Sequence, residues 1–373
     1  MGYVAVKGGT IAIEQSVKRL KYERLKTQTV LDVKNIEGGM RGLIDVVMSE
    51  SSLYNKEIAA IAIKQAEGSA EEAVFLLRAY RSTLPRKHYS VIIDTENMHV
   101  ERRVSACFKD IQGGQILGTA YDYTHRLIDF SLVDEDENNV KAWLGEFERE
   151  PFNHETSDIC LNQLPKVTDY LRQEGLISSY VDNNDEPIDI TKKSLEFPTV
   201  RSERLQILTR GQTGAVTFLG YAALRGYGDL HPTVGELRVG NIEIYIDNPL
   251  GDGNGEDCFY IGQIQITEVE TYVAKCAHNN EANKQLQLEI GYGVCFGQNE
   301  TKAIGMSMLD LCLETNDPKY PTQDEEFVLF HIDSVESTGF ISHLKLPHYV
   351  TFKSKLDSIR KTRNKEGAAS NED

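Results

Sequence analysis

The sequence predicts an α+β protein, with a mainly helical N-terminal half and an antiparallel sheet with covering helices in the C-terminal half. Two patterns support this fold class. Apolar residues recur at helical spacing over residues 39–83, whereas apolar residues occupy every second position over residues 286–296. Helices and strands that are segregated along the chain in this way are typical of α+β proteins.

An acidic segment separates the two halves. Residues 134–189 contain fifteen acidic and four basic residues, and they show little apolar periodicity apart from one helix near 167–176. We therefore predict four parts: a mainly helical N-terminal domain, an acidic insertion or linker, an α+β C-terminal domain and a flexible tail. Their bounds are 1–133, 134–198, 199–350 and 351–373.

Turn and cap residues indicate where the N-terminal helices begin and end. A short strand at 3–6 leads through two glycines to a helix that begins near Thr10. Three helical pieces follow between 39 and 83, and Ser69 with Glu72 three residues later predicts a capping box at the start of the third.

The C-terminal half contains the strand patterns. Residues 237–246 predict a strand whose apolar positions change parity at Gly240, which indicates a bulge or bend there. The clearest alternation, over 286–296, predicts a second strand. One helix is predicted to begin near Asn299, and another to run from about 324 to 339.

Composition excludes some classes of protein. A net charge of −17 opposes nonspecific binding to nucleic acid or anionic lipid, and a mean hydropathy of −0.38 without a long apolar run argues against a membrane span. The N-terminus lacks a signal-peptide core, so we expect a cytoplasmic protein. The six cysteines show no C-x-x-C pair and are predicted to be reduced core residues.

Two histidines near the C-terminus are candidate metal ligands. His343 and His348 are five residues apart, a spacing that would separate their rings in a regular helix or strand. Pro347 interrupts regular structure and permits a turn that brings both rings to one ion such as zinc. On spacing alone, a pair of hydrogen-bonded surface or interface histidines explains these residues better than a metal site does.

Two further groups of residues suggest anion binding. Arg225 and Arg238 flank a segment with several glycines, and Glu236 and His231 lie between them. A hairpin turn with solvated charges would explain the same residues.

The second group lies in the N-terminal half. Arg78 and Arg81 share a helix face, and a polar aromatic cluster contains Asp122, His125 and Arg126. A solvated helix face and ordinary core-edge residues remain alternatives for these positions.

Blocks of sequence in both halves are similar to one known family. The chain resembles the PhnI family, core subunits of the bacterial carbon-phosphorus lyase complex that degrades phosphonates. The matching blocks are residues 3–9, 73–84, 108–115, 122–127, 225–228 with His231-Pro232, 323–329 and 343–349. They occur in the family's order, whereas the acidic segment does not match clearly.

The resemblance implies a glycosyl transfer. With the companion subunits PhnG, PhnH and PhnL, members of the family replace the purine of Mg-ATP by an alkylphosphonate oxygen at C1′ of the ribose. The radical subunit PhnJ then cleaves the carbon-phosphorus bond of the product. Alone, such a subunit is expected to act as a purine nucleosidase, because water takes the place of the phosphonate.

Glycosidic bond cleavage passes through a cationic sugar, so it needs a carboxylate, a proton donor for the base and cations for the phosphates. Glu236 or Asp122 is predicted to stabilise the sugar, and His125 or His231 to assist the leaving base. The candidate phosphate ligands are Arg78, Arg81, Arg126, Arg225 and Arg238. The resemblance also implies a zinc site at His343 and His348, completed by other ligands and shared with PhnJ.

Two other functions compete with this one. The chain could be a noncatalytic scaffold that holds the companion subunits while they perform the chemistry. It could also be an independent metal-dependent hydrolase, which would require a complete metal shell and activity without companions.

Overall fold

A computed structural model of the protein describes residues 8–149, 164–177, 186–227, 230–251, 257–276, 286–345 and 349–369. The chain forms two compact units, each made of separate stretches. The first unit, here called the helical unit, combines Met1–Pro85, Gln206–Val216 and Glu326–Asp373, and the second, the sheet unit, combines Arg86–Leu205 and Thr217–Glu325. The predicted boundaries at 133, 198 and 350 differ from this grouping and stay predictions.

The predicted fold class is confirmed. The described residues form thirteen α-helices: α1 (Gly9–Leu25), α2 (Val33–Gly39), α3 (Arg41–Ser51), α4 (Lys56–Gln65), α5 (Ala70–Ser82), α6 (Glu137–Phe147), α7 (Val167–Gln173), α8 (Arg201–Arg210), α9 (Thr213–Ala222), α10 (Glu300–Thr315), α11 (Glu325–His331), α12 (Ser334–His343) and α13 (Tyr349–Ala369). Four strands complete the secondary structure: β1 (His99–Val104), β2 (Thr233–Asp247), β3 (Cys258–Cys276) and β4 (Leu286–Phe296).

Apolar faces of short capped helices form the core of the helical unit. Ile44 and Met48 of α3 pack with Ala60 and Ile63 of α4 and with Leu77 of α5. Only half of the predicted capping box at the start of α5 is present. The Ser69 hydroxyl accepts a hydrogen bond from the backbone N–H of Glu72 at 3.4 Å, but the N–H of Ser69 donates to the carbonyl oxygen of Ala66 instead of the Glu72 side chain.

The sheet unit is built around one antiparallel sheet with the strand order β1-β2-β3-β4 among the described residues. Helix α10 covers one of its faces. Gly291 and Gly293 permit this close approach, since a side chain at either position would collide with the backbone of α10 at Ser307 or Ala303.

The predicted bulge at Gly240 is wrong in its position. Strand β2 pairs with β3 without interruption through Gly240, and the irregularity beside Gly240 lies in β1, between Val100 and Arg102. The pairing of β2 with β3 shifts register elsewhere, at Val234/Glu236 and at Ile244/Tyr245. The parity change has another cause: Val239 lies on the face that α10 covers, whereas Ile242 packs in a separate cluster on the opposite face. Both faces of the sheet are therefore buried here.

Three helices differ from the sequence-based expectations. The helix predicted over 324–339 is divided into α11 and α12, because Asp333 caps α12 by accepting hydrogen bonds from the N–H groups of Val335 and Glu336. Helix α6 occurs in the acidic segment, where only α7 was predicted. Helix α13 occupies most of the predicted flexible tail, whose sequence has no sustained apolar pattern.

The cysteine prediction is right for two residues and wrong for one. Cys295 and Cys312 are buried, whereas Cys107 is exposed and Cys258 is partly exposed. Cys160, the side chain of Cys276 and the strand predicted at 3–6 lie outside what the structure describes.

Candidate functional site

Strand β1 directs two neighbouring arginines to opposite faces of the sheet, as alternating strand positions must. Arg103 pairs directly with Arg238 of β2, so both side chains share the face away from α10. Arg102 lies on the other face, with its Nε 2.8 Å from Glu300 Oε1 at the start of α10. Each arginine binds one of the two predicted catalytic carboxylates.

Arg103 and Glu236 form a buried ion pair. Arg103 Nε donates to Glu236 Oε1 at 2.5 Å, and the two side chains are 0% and 2% exposed. The second carboxylate oxygen of Glu236 accepts a hydrogen bond from the backbone N–H of Val167 at 3.0 Å. Both oxygens of Glu236 are thus bound by protein donors, and a role for this residue at C1′ stays a prediction.

Glu268 is the acceptor at the centre of the other buried ion pairs on this face of the sheet. Its carboxylate accepts hydrogen bonds from Arg238 Nε at 3.2 Å and from Lys166 Nζ at 2.9 Å. The hydroxyl groups of Thr95, at 2.7 Å, and Tyr292, at 2.8 Å, also donate to it. We call this set the charged layer; it consists of Arg103, Lys166, Glu236, Arg238, Glu268 and Glu270.

Strand register explains how like charges coexist in this layer. Arg103 lies directly opposite Arg238, and Glu236 lies directly opposite Glu270, which are repulsive pairs. The ion pairs relieve this repulsion, because Arg103 reaches diagonally to Glu236 while Arg238 binds Glu268 across the strands.

The two glutamates of β3 have opposite pKa shifts. Burial would raise the pKa of Glu268, but the charges of Arg238 and Lys166, with hydrogen bonds from Thr95 and Arg238, lower it to about 2. At Glu270 burial is the largest influence and raises the pKa, although Lys166 opposes it. The layer therefore holds Glu268 as a carboxylate, whereas burial makes Glu270 easier to protonate than a solvent-exposed glutamate.

Arg238, a predicted phosphate ligand, belongs to this layer and is 1% exposed. Its Nη1 atom is buried and has no hydrogen-bond partner among the described residues. Arg238 therefore reaches no solvent in the structure, and phosphate binding by it stays a prediction.

The second predicted carboxylate has a different environment. Asp122 lies in the short 3₁₀ helix Tyr121–Tyr123, and 52% of its side chain is exposed. It accepts hydrogen bonds from Arg102 Nη2 at 3.0 Å and from Arg126 Nη2 at 3.2 Å. The Arg102 guanidinium also lies 5.8 Å from the centre of the Tyr123 ring. We call Arg102, Asp122, Tyr123 and Arg126 the Asp122 cluster.

The structure thus brings together Asp122 and Arg126, two of the predicted site residues. His125, Arg225 and His231 are also exposed in the sheet unit. The Arg225 guanidinium lies 5.9 Å from the centre of the Tyr221 ring.

Two other predicted ligands lie in the helical unit. Arg78 is largely buried, with hydrogen bonds to the carbonyl oxygens of Glu50 and Arg210 and an ion pair with Asp333 at 2.6 Å. These contacts give it a clear structural role, because they join α5 to three other segments of the unit. Arg81 is partly buried on the same helix.

His343, a predicted zinc ligand, is the last residue of α12. Its Nδ1 is hydrogen-bonded to the carbonyl oxygen of Phe340, so Nδ1 carries the proton and the lone pair is on Nε2. This tautomer suits coordination of zinc through Nε2. His348 lies outside the described residues. Across the ranges that are described, no three or more His, Cys, Asp or Glu side chains group closely enough to hold a metal ion.

A cavity of about 340 Å³ lies beside the charged layer. Its walls come from the loop after β1 and from α7, and it is lined by Phe108, Asp110, Ile111, Gln112, Val167, Tyr170 and Glu174. The sequence analysis did not select these side chains, although residues 108–115 form one of the blocks that resemble the family.

The sequence analysis also missed Arg103, Lys166, Glu268 and Glu270. A usable signal was present: two glutamates alternate with apolar or small residues within one long strand, which indicates buried acids that need cations. Only the paired register shows which cations these are.

The fold and these features define a class: an α+β protein with a buried ionic layer, a solvent-accessible carboxylate between arginines, and an aromatic, acidic cavity. Comparison with known proteins identifies the family. The family described as "Bacterial phosphonate metabolism protein (PhnI)" matches residues 2–366. The chain belongs to the PhnI family, which confirms the resemblance.

Curated relatives match along almost the whole chain. A protein of Stutzerimonas stutzeri named putative C-P lyase subunit protein HtxH is 41% identical over 99% of this chain and 98% of its own. Two relatives are named alpha-D-ribose 1-methylphosphonate 5-triphosphate synthase subunit PhnI. The one from Rhizobium meliloti is 41% identical over 98% of this chain and 96% of its own, and the one from Escherichia coli is 40% identical over 98% and 99%.

None of the helices in the described residues has the length and apolar character needed to cross a membrane.

Proposed function

We propose that this chain is a subunit of an alpha-D-ribose 1-methylphosphonate 5-triphosphate synthase in phosphonate catabolism. The observation that carries the proposal is identity of about 40% along nearly the full length of two relatives with that name. In the reaction, the bond between C1′ and the purine nitrogen of ATP breaks and a bond from C1′ to a phosphonate oxygen forms. The proton of the phosphonate ends on adenine, so no oxidant or reductant is needed.

The transition state of this reaction carries positive charge on the sugar, which a nearby carboxylate stabilises. Asp122 fits that role better than Glu236, because half of the Asp122 side chain meets solvent whereas Glu236 is enclosed by protein donors. Asp122 thus supplies the carboxylate beside the ribose.

Arg126 is the best placed of the predicted phosphate ligands. Its guanidinium is 65% exposed and donates from Nη2 to Asp122 and from Nε to the carbonyl oxygen of Tyr121, so its Nη1 is the nitrogen that can donate to a phosphate. Arg225, His125 and His231 are also accessible from solvent. Arg78 and Arg238 contribute less to this proposal, since each already forms a buried or largely buried ion pair.

Product analysis tests the proposal directly. Purified complex is incubated with Mg-ATP and methylphosphonate, and adenine and the ribosylated phosphonate are separated by chromatography. We expect both products in equal amounts with the complex, and adenine with ribose triphosphate when the chain acts alone in water. Absence of adenine in both reactions contradicts the proposal.

A scaffold function is the second candidate, and one observation favours it. Residues 127–147 expose several large apolar side chains, among them Leu127, Ile128, Phe130, Val133 and Trp143. An exposed apolar stretch of this kind is typical of a surface that binds another protein. The companion subunits PhnG, PhnH, PhnJ and PhnL are the proposed partners.

The two candidates differ in one measurement. If the chain is only a scaffold, Asp122→Asn leaves adenine release by the assembled complex unchanged. If it carries the site, the same complex assembles but releases adenine much more slowly.

We also propose that His343 binds zinc together with His348 and ligands from a partner. The tautomer of His343 supports this, as its lone pair is on the nitrogen remote from the Phe340 carbonyl. Metal analysis of the purified complex is the test. A His343→Ala/His348→Ala double variant should lose its zinc, and a full zinc complement in that variant would end the proposal.

A further inference from the structure

Arg102 of β1 is the cation that joins the Asp122 cluster to the sheet. Its side chain is 5% exposed, whereas that of Asp122 is 52% exposed. From this buried position, Nη2 donates to Asp122 Oδ2 at 3.0 Å and Nη1 donates to the carbonyl oxygen of Leu117. One guanidinium thus holds both the carboxylate and the backbone of the loop that carries it.

Glu300, in the first turn of α10, is the second carboxylate beside this guanidinium. Its Oε1 lies 2.8 Å from Arg102 Nε, and 18% of its side chain is exposed. Arg102 Nε is buried and makes no hydrogen bond within the described residues, so the contact is an ion pair without a hydrogen bond. It therefore depends on the charge of Glu300, and a neutral side chain of the same size would lose it.

Gln298 joins Glu300 to the same loop. Its Nε2 donates to the carbonyl oxygen of Thr119 at 2.6 Å and to Glu300 Oε1 at 2.9 Å. Arg102 holds the loop at Leu117, two residues earlier. The loop is therefore held at both carbonyl groups, and Glu300 contacts each of the two side chains that hold it.

Glu300 also keeps Asp122 available to a ligand. Among the described residues, these two carboxylates are the ones that pair with Arg102. A buried cation requires a carboxylate partner, and loss of one partner increases its dependence on the other. Without Glu300, the Asp122 carboxylate would be the sole counter-ion of Arg102 and would be drawn towards the guanidinium, away from a ligand.

We infer that Glu300 is a positioning residue for the proposed reaction, acting through Arg102 on the place and the availability of the Asp122 carboxylate. This inference rests on the proposed function, in which Asp122 stabilises the cationic sugar. Glu300 is distant from Asp122 in the sequence and was not among the predicted site residues. The fold connects the two, because the start of α10 lies beside β1.

Steady-state kinetics of adenine release by the purified complex, with Mg-ATP and methylphosphonate, test the inference. Glu300→Gln keeps the size of the side chain but removes its charge. It should lower kcat roughly tenfold and leave the KM for ATP within about twofold, because Asp122 acts on the transition state. Glu314→Gln is the matched control and should keep normal kcat, since Glu314 lies on the same helix but pairs with Arg204.

Two further comparisons distinguish positioning of Asp122 from a general loss of packing. Glu300→Asp retains the charge and should keep kcat within about threefold of the wild type. In the Asp122→Asn background, Glu300→Gln should cause a much smaller loss, because the carboxylate on which it acts is already gone. Equal losses in both backgrounds overturn the inference, as does normal kcat in Glu300→Gln.

Amide hydrogen exchange of the assembled complex tests the placement of the loop without catalysis. Residues 117–126 should exchange faster in Glu300→Gln than in Glu314→Gln, because the loop loses a support. Equal exchange in the two variants contradicts the inference. If Glu300→Gln does not assemble, Gln298→Met replaces it, since that variant leaves every charge in place; normal kcat in Gln298→Met then overturns the inference.

The outcomes separate this inference from the proposed function. A complex with Glu300→Gln that releases adenine at the wild-type rate keeps the function and overturns the positioning role. A wild-type complex that releases no adenine overturns the function, while faster exchange of residues 117–126 in Glu300→Gln would still support Glu300 as the residue that holds the loop.

Discussion

The charged layer and the Asp122 cluster contain the same residue types in opposite environments. In the first, Arg103 and Glu236 are 0% and 2% exposed. In the second, the Arg126 and Asp122 side chains are 65% and 52% exposed. Neighbouring residues of one strand, Arg103 and Arg102, connect to the two sites.

The difference shows how burial divides the roles of charged residues. A buried carboxylate whose oxygens are both hydrogen-bonded cannot leave its partners without a large desolvation cost, so it holds segments together. An exposed carboxylate between two arginines forms ion pairs that contribute little free energy in water, so it remains available to a ligand. Residue type alone does not distinguish the two cases.

The largest expected effect is on stability, at Glu236. Glu236→Gln leaves the Arg103 charge buried without its counter-ion, so we expect the free energy of unfolding to fall by about 3–5 kcal/mol. Urea denaturation of the full chain measures this change. Removal of both charges, in Arg103→Met/Glu236→Gln, should recover part of the loss.

The same Glu236→Gln variant also tests whether Glu236 takes part in catalysis. The fraction of Glu236→Gln molecules that is folded and assembled in the complex should release adenine at a rate near that of the wild type. A chemical step slowed by orders of magnitude in folded Glu236→Gln would instead restore Glu236 as the catalytic carboxylate.

The next effect is on acid stability, at Glu268. Its pKa is lowered in the folded state to about 2 from 4.5, so it adds stability that is fully present above pH 4.5 and is lost as the pH falls towards 2. The contribution is on the order of 3 kcal/mol. Thermal unfolding between pH 6 and 2 should show a shallower acid dependence for Glu268→Gln than for the wild type. Equal slopes would contradict the ionised state of Glu268.

The third effect is on turnover, at Asp122. Asp122→Asn should slow adenine release by about 100-fold, which corresponds to about 2.7 kcal/mol of transition-state stabilisation, with little change in melting temperature. Asp317→Asn, at an exposed aspartate outside the site and outside residues 127–147, is the matched control and should keep normal turnover. Normal turnover in Asp122→Asn would remove Asp122 from the site.

The smallest effect on stability is expected at Arg126. Its pair with Asp122 is exposed, so Arg126→Gln should change the free energy of unfolding by less than about 1 kcal/mol. We expect the KM for ATP to rise while the stability remains near that of the wild type. A KM equal to that of the wild type would exclude Arg126 as a phosphate ligand.

Much of the fold could be predicted because local patterns are strong where packing is regular. The period-two apolar pattern of β4 and the cap residue Ser69 of α5 act within a few residues of sequence; the strand is confirmed, and Ser69 caps the helix although the full capping box does not form. The errors arose where the local structure depends on contacts with residues that are distant in the sequence. The parity change at Gly240 reflects a sheet buried on both faces rather than a bulge in β2.

The site was less predictable for the same reason. The sequence placed Asp122 near Arg126, since they are four residues apart, but it could not distinguish Asp122 from Glu236 in accessibility. The walls of the cavity, at Gln112 and Tyr170, are 58 residues apart and meet only after folding.

The sequence by itself determined the α+β class and the membership of the PhnI family, because periodicity and ordered blocks of residues are properties of the linear chain. The tertiary structure alone decided which charges are structural and which remain accessible. The reason is physical: the free energy of a charge depends on its solvent exposure and on partners brought from distant positions, such as Glu236 for Arg103.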